Sequence, residues 1–88
     1  MKNEKQLIMI SANFCGYCTY IRPHAETICD DKDITFIPLD VHNLPKTIEE
    51  PDAFPTFLFR VNKEIVEKWA GSNIDKLKEK IQINFGNK

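Results

Sequence analysis

The residues with the clearest chemical potential are two cysteines, Cys15 and Cys18, which are separated by Gly16 and Tyr17. They follow an apolar run over 7–10 and precede a stretch with helical spacing. Cysteines three residues apart at the start of a helix have Cα atoms about 5 to 6 Å apart, within reach of a disulfide bond. Free backbone N–H groups and the helix dipole also favour a thiolate there. The order strand, Cys-x-x-Cys, helix therefore predicts a redox-active dithiol that exchanges electrons with disulfides.

The two cysteines are expected to have different roles. Cys15 comes first, at the helix N-terminus, where exposure and the helix dipole favour its thiolate. We therefore expect Cys15 to attack a substrate disulfide and to form a mixed disulfide. Cys18, one turn deeper, would attack that intermediate, release the reduced product and leave a Cys15–Cys18 disulfide.

Other chemistries fit the cysteines less well, although a purely structural cysteine pair stays open. Zinc needs four ligands, and Cys29, His24 and His42 supply no second ligand pair at zinc-finger spacing. Haem attachment needs a histidine directly after the second cysteine, where this chain has Thr19. We expect Cys29 to pack in the core, with regulatory oxidation or glutathionylation as the alternative, and both histidines to be exposed bystanders.

The composition describes one small domain over 1–88. The chain has 88 residues, of which 42% are hydrophobic, and six Phe and one Trp give bulk to a modest core. The net charge of −1 and the interspersed charges argue against a nucleic-acid partner. The apolar run over 7–10 is short, whereas a secretory signal needs about 7 to 15 apolar residues and a membrane span about 20. Together with an odd number of cysteines, this predicts a cytoplasmic protein with no membrane partner.

Apolar periodicity and breaking residues give the order of the elements. Pro23 lies inside the first helix, Asn62-Lys63 is typical of a hairpin turn, and Gly71 ends the last strand. Ser72 with Asp75 resembles a capping box before the last helix. Strands are predicted over 6–11, 34–39, 56–61 and 64–69, and helices over 16–29, 46–50 and 74–85. The order β-α-β-α-β-β-α predicts an α/β fold with a four-stranded mixed sheet flanked by helices, in which the first two strands are parallel and the last two antiparallel.

This arrangement resembles small thioredoxin-fold oxidoreductases over nearly the whole chain. The resemblance rests on Cys-Gly-Tyr-Cys, on Pro23 five residues after the second cysteine, and on Phe54-Pro55-Thr56 and Trp69-Ala70-Gly71. It implies the minimal thioredoxin fold, as in glutaredoxins and the redoxins that serve ribonucleotide reductase. It also implies a cis bond before Pro55, which would expose the backbone of Phe54 to pair with an extended substrate. The substrate-binding residues that it implies, beside catalytic Cys15 and Cys18, are Phe14, Gly16, Tyr17, Phe54, Pro55, Thr56 and Gly71.

The chain departs from the thioredoxin pattern beside and beneath the cysteines. Thioredoxins have Trp before the first cysteine and Pro between the two, where this chain has Phe14 and Tyr17, the latter as in glutaredoxins. Thioredoxins also bury an Asp under the second cysteine, together with a Lys on the next strand. Met9 and Phe36 are predicted to occupy those two positions. The proton of Cys18 would then have to go to water or to the substrate.

The resemblance implies a thiol-disulfide oxidoreductase that reduces protein disulfides through its two active-site cysteines. Two alternatives stay open: a glutathione-dependent glutaredoxin that removes glutathione from proteins, and a glutaredoxin-like protein that holds an iron–sulfur cluster. Ala53-Phe54-Pro55 lacks the Thr-Val-Pro of glutaredoxins, whereas Ser72, Asn73 and Asp75 could hold a peptide-like ligand. We expect a monomer with no metal or cofactor beyond its redox-active disulfide. Its partners would be disulfide-containing proteins, and its electron donor thioredoxin reductase or glutathione.

Overall fold

The computed structural model describes residues 4–86, which form a four-stranded sheet and two α-helices. The elements are β1 (Lys5–Ser11), α1 (Gly16–Asp31), β2 (Thr35–Asp40), a 3-10 turn (Val41–Asn43), β3 (Thr56–Val61), β4 (Glu64–Ala70) and α2 (Ile74–Phe85). The strands lie in the order β2-β1-β3-β4, with β1 and β2 parallel and β3 antiparallel to both of its neighbours. The predicted α/β fold with a four-stranded mixed sheet, the minimal thioredoxin fold, is confirmed.

The short helix predicted over 46–50 is wrong. Residues 44–55 form turns, bends and irregular backbone, and we call them the 44–55 loop. One turn in it is closed by the N–H of Ile48, which donates to the carbonyl of Pro45 at 3.0 Å. The helical turn lies earlier, because the carboxylate of Asp40 accepts the N–H of His42 at 2.8 Å and caps Val41–Asn43. β2 is therefore joined to β3 by this 3-10 turn and the 44–55 loop, without an α-helix.

The sheet carries a hydrophobic core on each face, because successive residues of β1 point to opposite sides. On one face Ile8, Ile10 and Leu58 are buried beneath half-buried side chains that include those of the 44–55 loop. Phe54 packs against both cores and so ties the end of that loop to the sheet. The other face is covered by α1 and α2 and buries Leu7, Met9, Cys18, Ile21, Ala25, Ile28, Cys29, Ile34, Phe57, Phe59, Leu77, Ile81 and Phe85.

Element ends differ from the predictions by one or two residues. α1 continues two residues beyond the predicted end, to Asp31. α2 is capped by Asn73 and not by Ser72, since the side chain of Asn73 accepts the N–H of Lys76 at 3.0 Å. The hairpin turn between β3 and β4 is confirmed, because Asn62 and Lys63 have the positive φ angles, 51° and 73°, that a type I′ turn requires.

Candidate active site

Cys15 and Cys18 form a disulfide at the start of α1. Their Cα atoms lie 5.2 Å apart, as the spacing predicts. Cys15 is the N-cap residue of α1, and its Sγ accepts the backbone N–H of Cys18 at 3.0 Å. In the reduced protein this N–H and the helix dipole would stabilise negative charge on the same sulfur. The start of α1 therefore favours the thiolate of Cys15.

The two cysteines differ in their access to solvent. Cys15 is half-buried and lines an open groove, whereas Cys18 is only 5% exposed and packs into the core beneath α1. A substrate disulfide can therefore approach Cys15 from outside the protein but cannot approach Cys18. This asymmetry agrees with the predicted roles, in which Cys15 attacks the substrate and Cys18 resolves the intermediate.

The groove over Cys15, which we call the Cys15 groove, has a volume of about 1030 Å³. Residues 12–20, at and just before the start of α1, supply one part of its lining, and we call this part the α1 wall; the 3-10 turn and the end of the 44–55 loop supply most of the rest, which we call the opposite wall. Four of the predicted substrate-binding residues, Phe14, Gly16, Tyr17 and Phe54, belong to its lining. The whole lining consists of Ala12, Asn13, Phe14, Cys15, Gly16, Tyr17, Tyr20, Val41, His42, Glu50, Asp52, Ala53, Phe54 and Ser72.

Exposed aromatic side chains concentrate at this groove. Phe14 is 100% exposed, Tyr17 67% and Tyr20 56%. These are three of the six exposed large hydrophobic residues in the described part of the chain. Exposed apolar side chains that cluster in this way mark surfaces that bind another molecule. Tyr20 was not among the residues predicted for the site, although it lies one helical turn after Tyr17 and therefore shares its face of α1.

Pro55, Thr56 and Gly71 lie outside the groove lining and support Phe54. The bond between Phe54 and Pro55 is cis, as predicted. Pro55 and Thr56 are buried; the hydroxyl of Thr56 donates to the carbonyl of Ala53 at 2.7 Å, and the N–H of Gly71 donates to the carbonyl of Pro55 at 3.1 Å. Phe54 itself makes no backbone hydrogen bond within residues 4–86. Its N–H and C=O are therefore free to pair with an extended substrate segment.

The core beneath Cys18 contains no acidic side chain. Met9 is fully buried there, and Thr56 is the one buried polar residue among residues 4–86. The strand register pairs Met9 with Pro38, whereas Phe36 pairs with Leu7. The prediction that Phe36 stands beside Met9 is therefore wrong by two positions, and the neighbour is Pro38. Neither residue carries a charge, so no buried carboxylate receives the proton of Cys18.

The remaining cysteine and the histidines lie where the sequence predicted. Cys29 is buried in the core. Burial, and to a smaller extent the negative charge of Glu26, raises the pKa of the Cys29 thiol to about 12. His24 and His42 are exposed, although His42 lines the groove and the ring of His24 lies 5.5 Å from that of Tyr20. Cys29 is therefore a buried core thiol, as predicted.

Within residues 4–86, no group of three or more His, Cys, Asp or Glu side chains is arranged to hold a metal ion. Neither α-helix in that part of the chain combines the length and the apolar character needed to cross a membrane.

Proteins of known sequence and structure are similar to this chain. The family model described as "Thioredoxin" matches residues 1–83. Thioredoxin of Gallus gallus is 35% identical over 83 residues, which cover 90% of this chain and 79% of that protein. Thioredoxin H2 of Arabidopsis thaliana is 31% identical over 86 residues, covering 92% of this chain and 65% of the relative, just under two thirds of it. The crystal structure of reduced Schistosoma mansoni thioredoxin pre-protein superimposes with a TM-score of 0.82 at 29% identity and covers 94% of this chain and 81% of that one.

The fold and the Cys15–Cys18 pair define a thiol-disulfide oxidoreductase. The family match over residues 1–83 and the 35% sequence identity with chicken thioredoxin show which family this is. This chain belongs to the thioredoxin family. Nothing in these relatives favours the glutaredoxin alternative.

Proposed function

We propose that the protein reduces disulfides in other proteins by dithiol exchange, with Cys15 as the nucleophile and Cys18 as the resolving thiol. The observation that carries this assignment is the difference in access between the two cysteines. Cys15 caps α1 and lines an open groove, while Cys18 lies behind it and is 5% exposed. The order of attack follows from that geometry.

The first step transfers the substrate to the protein. The Cys15 thiolate attacks one sulfur of the substrate disulfide, the substrate S–S bond breaks, and the other substrate sulfur leaves as a thiolate that takes up a proton. Cys15 is then joined to the substrate by a mixed disulfide. The exposed edges of Phe14 and Tyr17 and the free backbone groups of Phe54 hold the substrate segment during this step.

The second step releases the product. The Cys18 thiolate attacks Sγ of Cys15, the bond from Cys15 to the substrate breaks, and the second substrate sulfur leaves as a thiolate. The substrate has gained two electrons and two protons as two thiols, and the protein holds the Cys15–Cys18 disulfide of the present structure. Because the core that contains Cys18 and Met9 holds no carboxylate, the proton of Cys18 passes to water or to the departing substrate sulfur.

The proposal extends to the partners. The relatives named above are thioredoxins, so we assign regeneration of the dithiol to thioredoxin reductase, with glutathione as the weaker electron donor. The Cys15–Cys18 couple is the redox group, and no other cofactor enters the cycle. The unpaired Cys29 suits a reducing compartment, so we place the protein in the cytoplasm, acting as a monomer.

The roles of the two cysteines are tested by trapping the intermediate. Reduced Cys18→Ser is mixed with a peptide that carries one disulfide-bonded chromophoric thiol, and the products are separated without reductant. We expect a covalent adduct of one peptide per protein, attached through Cys15 and released by dithiothreitol. Cys15→Ser should form no adduct, because Cys18 is buried.

Cys29→Ser is the matched control, since it removes a cysteine that lies in the core and away from the groove. It should reduce the peptide at the wild-type rate when thioredoxin reductase and NADPH regenerate it. An adduct on Cys18 in the Cys15→Ser variant would contradict the assigned order of attack. Loss of turnover in Cys29→Ser would contradict the two-cysteine mechanism.

A further inference from the structure

The formally charged side chains that line the Cys15 groove are all negative. Among the described residues that line it, Glu50 and Asp52 are acidic, and none is a lysine or an arginine. Both carboxylates belong to the 44–55 loop, on the opposite wall. A cleft lined by charges of one sign attracts groups of the opposite sign. The groove therefore favours a cationic ligand.

Glu50 and Asp52 are also available to a ligand. Both side chains are exposed, and neither makes a hydrogen bond or an ion pair within residues 4–86. Glu67 shows the opposite case, because its carboxylate is already held by Lys80 and Asn84. A cation in the groove would therefore not have to displace a lysine or arginine of the protein itself.

The α1 wall offers aromatic rings to the same ligand. Phe14, just before α1, and Tyr17 and Tyr20, in its first two turns, are each more than half exposed. The face of an aromatic ring attracts an ammonium or guanidinium group, and the ring also packs on the methylene stem of such a side chain. A lysine or arginine in the groove can therefore contact rings on one wall and carboxylates on the other.

We propose that the Cys15 groove selects protein substrates in which a lysine or arginine stands beside the reactive cysteine. The substrate segment crosses the groove in extended form, pairs with the free backbone groups of Phe54, and places its cation between Glu50 or Asp52 and the aromatic rings of the α1 wall. This proposal rests on the proposed function, because it names the substrate class of the same site.

The chemistry of exchange supports the same selection. A positive charge next to a thiol stabilises its thiolate, and a more stable thiolate is a better leaving group in thiol-disulfide exchange. A cation beside the substrate cysteine would therefore speed the departure of the substrate sulfur as well as its binding. The two effects have to be separated in any test.

The test uses two peptides with the same chromophoric disulfide, one with lysine and one with glutamate on each side of the cysteine. The rate at which dithiothreitol reduces each peptide measures the intrinsic reactivity of its disulfide. The kcat/KM of the protein for each peptide is divided by that rate. At low salt we expect the wild-type protein to reduce the lysine peptide with a kcat/KM about fivefold higher after this correction, the size expected of two exposed ion pairs. The preference should shrink as salt rises.

Two variants of equal charge show whether the groove is responsible. Glu50→Gln/Asp52→Asn removes both groove carboxylates, and Asp30→Asn/Asp31→Asn removes two exposed carboxylates at the far end of α1. The first should lose the preference for lysine while still reducing both peptides, and the second should keep it. Equal rates for the two peptides in the wild-type protein, or loss of the preference in the second variant, would overturn the proposal. Failure to reduce either peptide would instead overturn the proposed function.

Discussion

Gly71 lies so close to the indole ring of Trp69 that a Cβ atom on Gly71 would stand 2.6 Å from Cζ2 of that ring. The ring of Trp69 stacks on Phe57, with centroids 5.8 Å apart and an interplanar angle of 20°. The N–H of Gly71 donates to the carbonyl of Pro55. Gly71 therefore links the aromatic core to the cis-proline segment beside the disulfide, and any side chain at this position would disturb both.

Gly71→Ala should destabilise the protein by about 1 to 3 kcal/mol, because the new methyl group forces the Trp69 ring away from Phe57. Urea unfolding measures the loss, and the fluorescence of Trp69, the one tryptophan of the chain, reports the altered packing. Gly16→Ala is the control, since a Cβ at Gly16 meets nothing within 4 Å. Equal stability of the two variants would contradict the packing role of Gly71.

Thr56→Val should cost about 1 kcal/mol and lower the kcat/KM for a peptide disulfide. The substitution keeps the shape of the side chain but removes the hydroxyl that donates to Ala53 at 2.7 Å, so the segment carrying Phe54 is held less firmly. Thr56→Ser keeps the hydroxyl and should retain the wild-type kcat/KM. If Thr56→Ser lost as much activity as Thr56→Val, the hydrogen bond would not be the cause.

Cys29 should not react with thiol reagents in the folded protein. In the oxidised state Cys29 is the one free thiol, so the amount of Ellman's reagent consumed measures the reaction of Cys29 alone. Because burial raises its pKa to about 12, we expect no reaction over minutes at pH 8, and reaction of one thiol per chain after unfolding in urea. Rapid labelling of the folded protein would contradict its burial.

The same thiol should make stability fall at alkaline pH. Folding raises the pKa of Cys29 from 9.0 to about 12. The contribution of the protonated thiol to the free energy of unfolding is therefore complete below pH 9 and is lost as pH rises toward 12. The slope can reach about 1.4 kcal/mol per pH unit. Urea unfolding of the oxidised protein between pH 7 and 10.5 measures this slope. Cys29→Ala should show a shallower slope, whatever constant offset its smaller side chain causes, and parallel curves would contradict the account.

Glu67 should make the stability of the protein fall at acidic pH, the opposite direction from Cys29. Hydrogen bonds from Lys80 and Asn84 lower the pKa of Glu67 below its ordinary value of 4.5. The stabilisation that the ionised Glu67 carboxylate gives to the folded protein is therefore complete above pH 4.5 and is lost as pH falls below that value. Glu67→Gln should be less stable than wild type at pH 7, and the difference should disappear toward pH 2. A constant difference from pH 7 to pH 2 would show that the charge of Glu67 is not involved.

Hydrophobic patterning made most of the fold predictable. The apolar run of β1 and the 3.6-residue spacing of α2 gave element types and bounds within two residues, because a strand buried on both faces is apolar throughout and a helix buried on one face is apolar at every third or fourth position. The capping residue of α2 was misplaced because Ser72 and Asn73 are both good N-caps, and backbone geometry alone decides between them. Phe36 was predicted beside Met9, where the structure has Pro38, because the sequences of β1 and β2 do not determine which residues of two parallel strands pair.

The candidate site was predictable where local chemistry fixed it. The spacing of Cys15 and Cys18 sufficed to predict the disulfide, whereas the cis bond before Pro55 was predicted only from the resemblance of Phe54-Pro55-Thr56 to the thioredoxin loop. The acidic residues of the opposite wall were missed because the 44–55 loop has no periodicity. Only the tertiary fold brings Glu50 and Asp52 to the groove over Cys15.

The measurement that tests the central claim most directly is thiol trapping of the protein equilibrated across a series of glutathione redox buffers. Mass spectrometry then counts the thiols at each potential. We predict a single two-electron transition in which Cys15 and Cys18 are trapped or protected together, while Cys29 stays a thiol throughout. If no intramolecular disulfide formed at any potential, or if Cys15 accumulated only as a glutathione adduct, the dithiol mechanism would be contradicted.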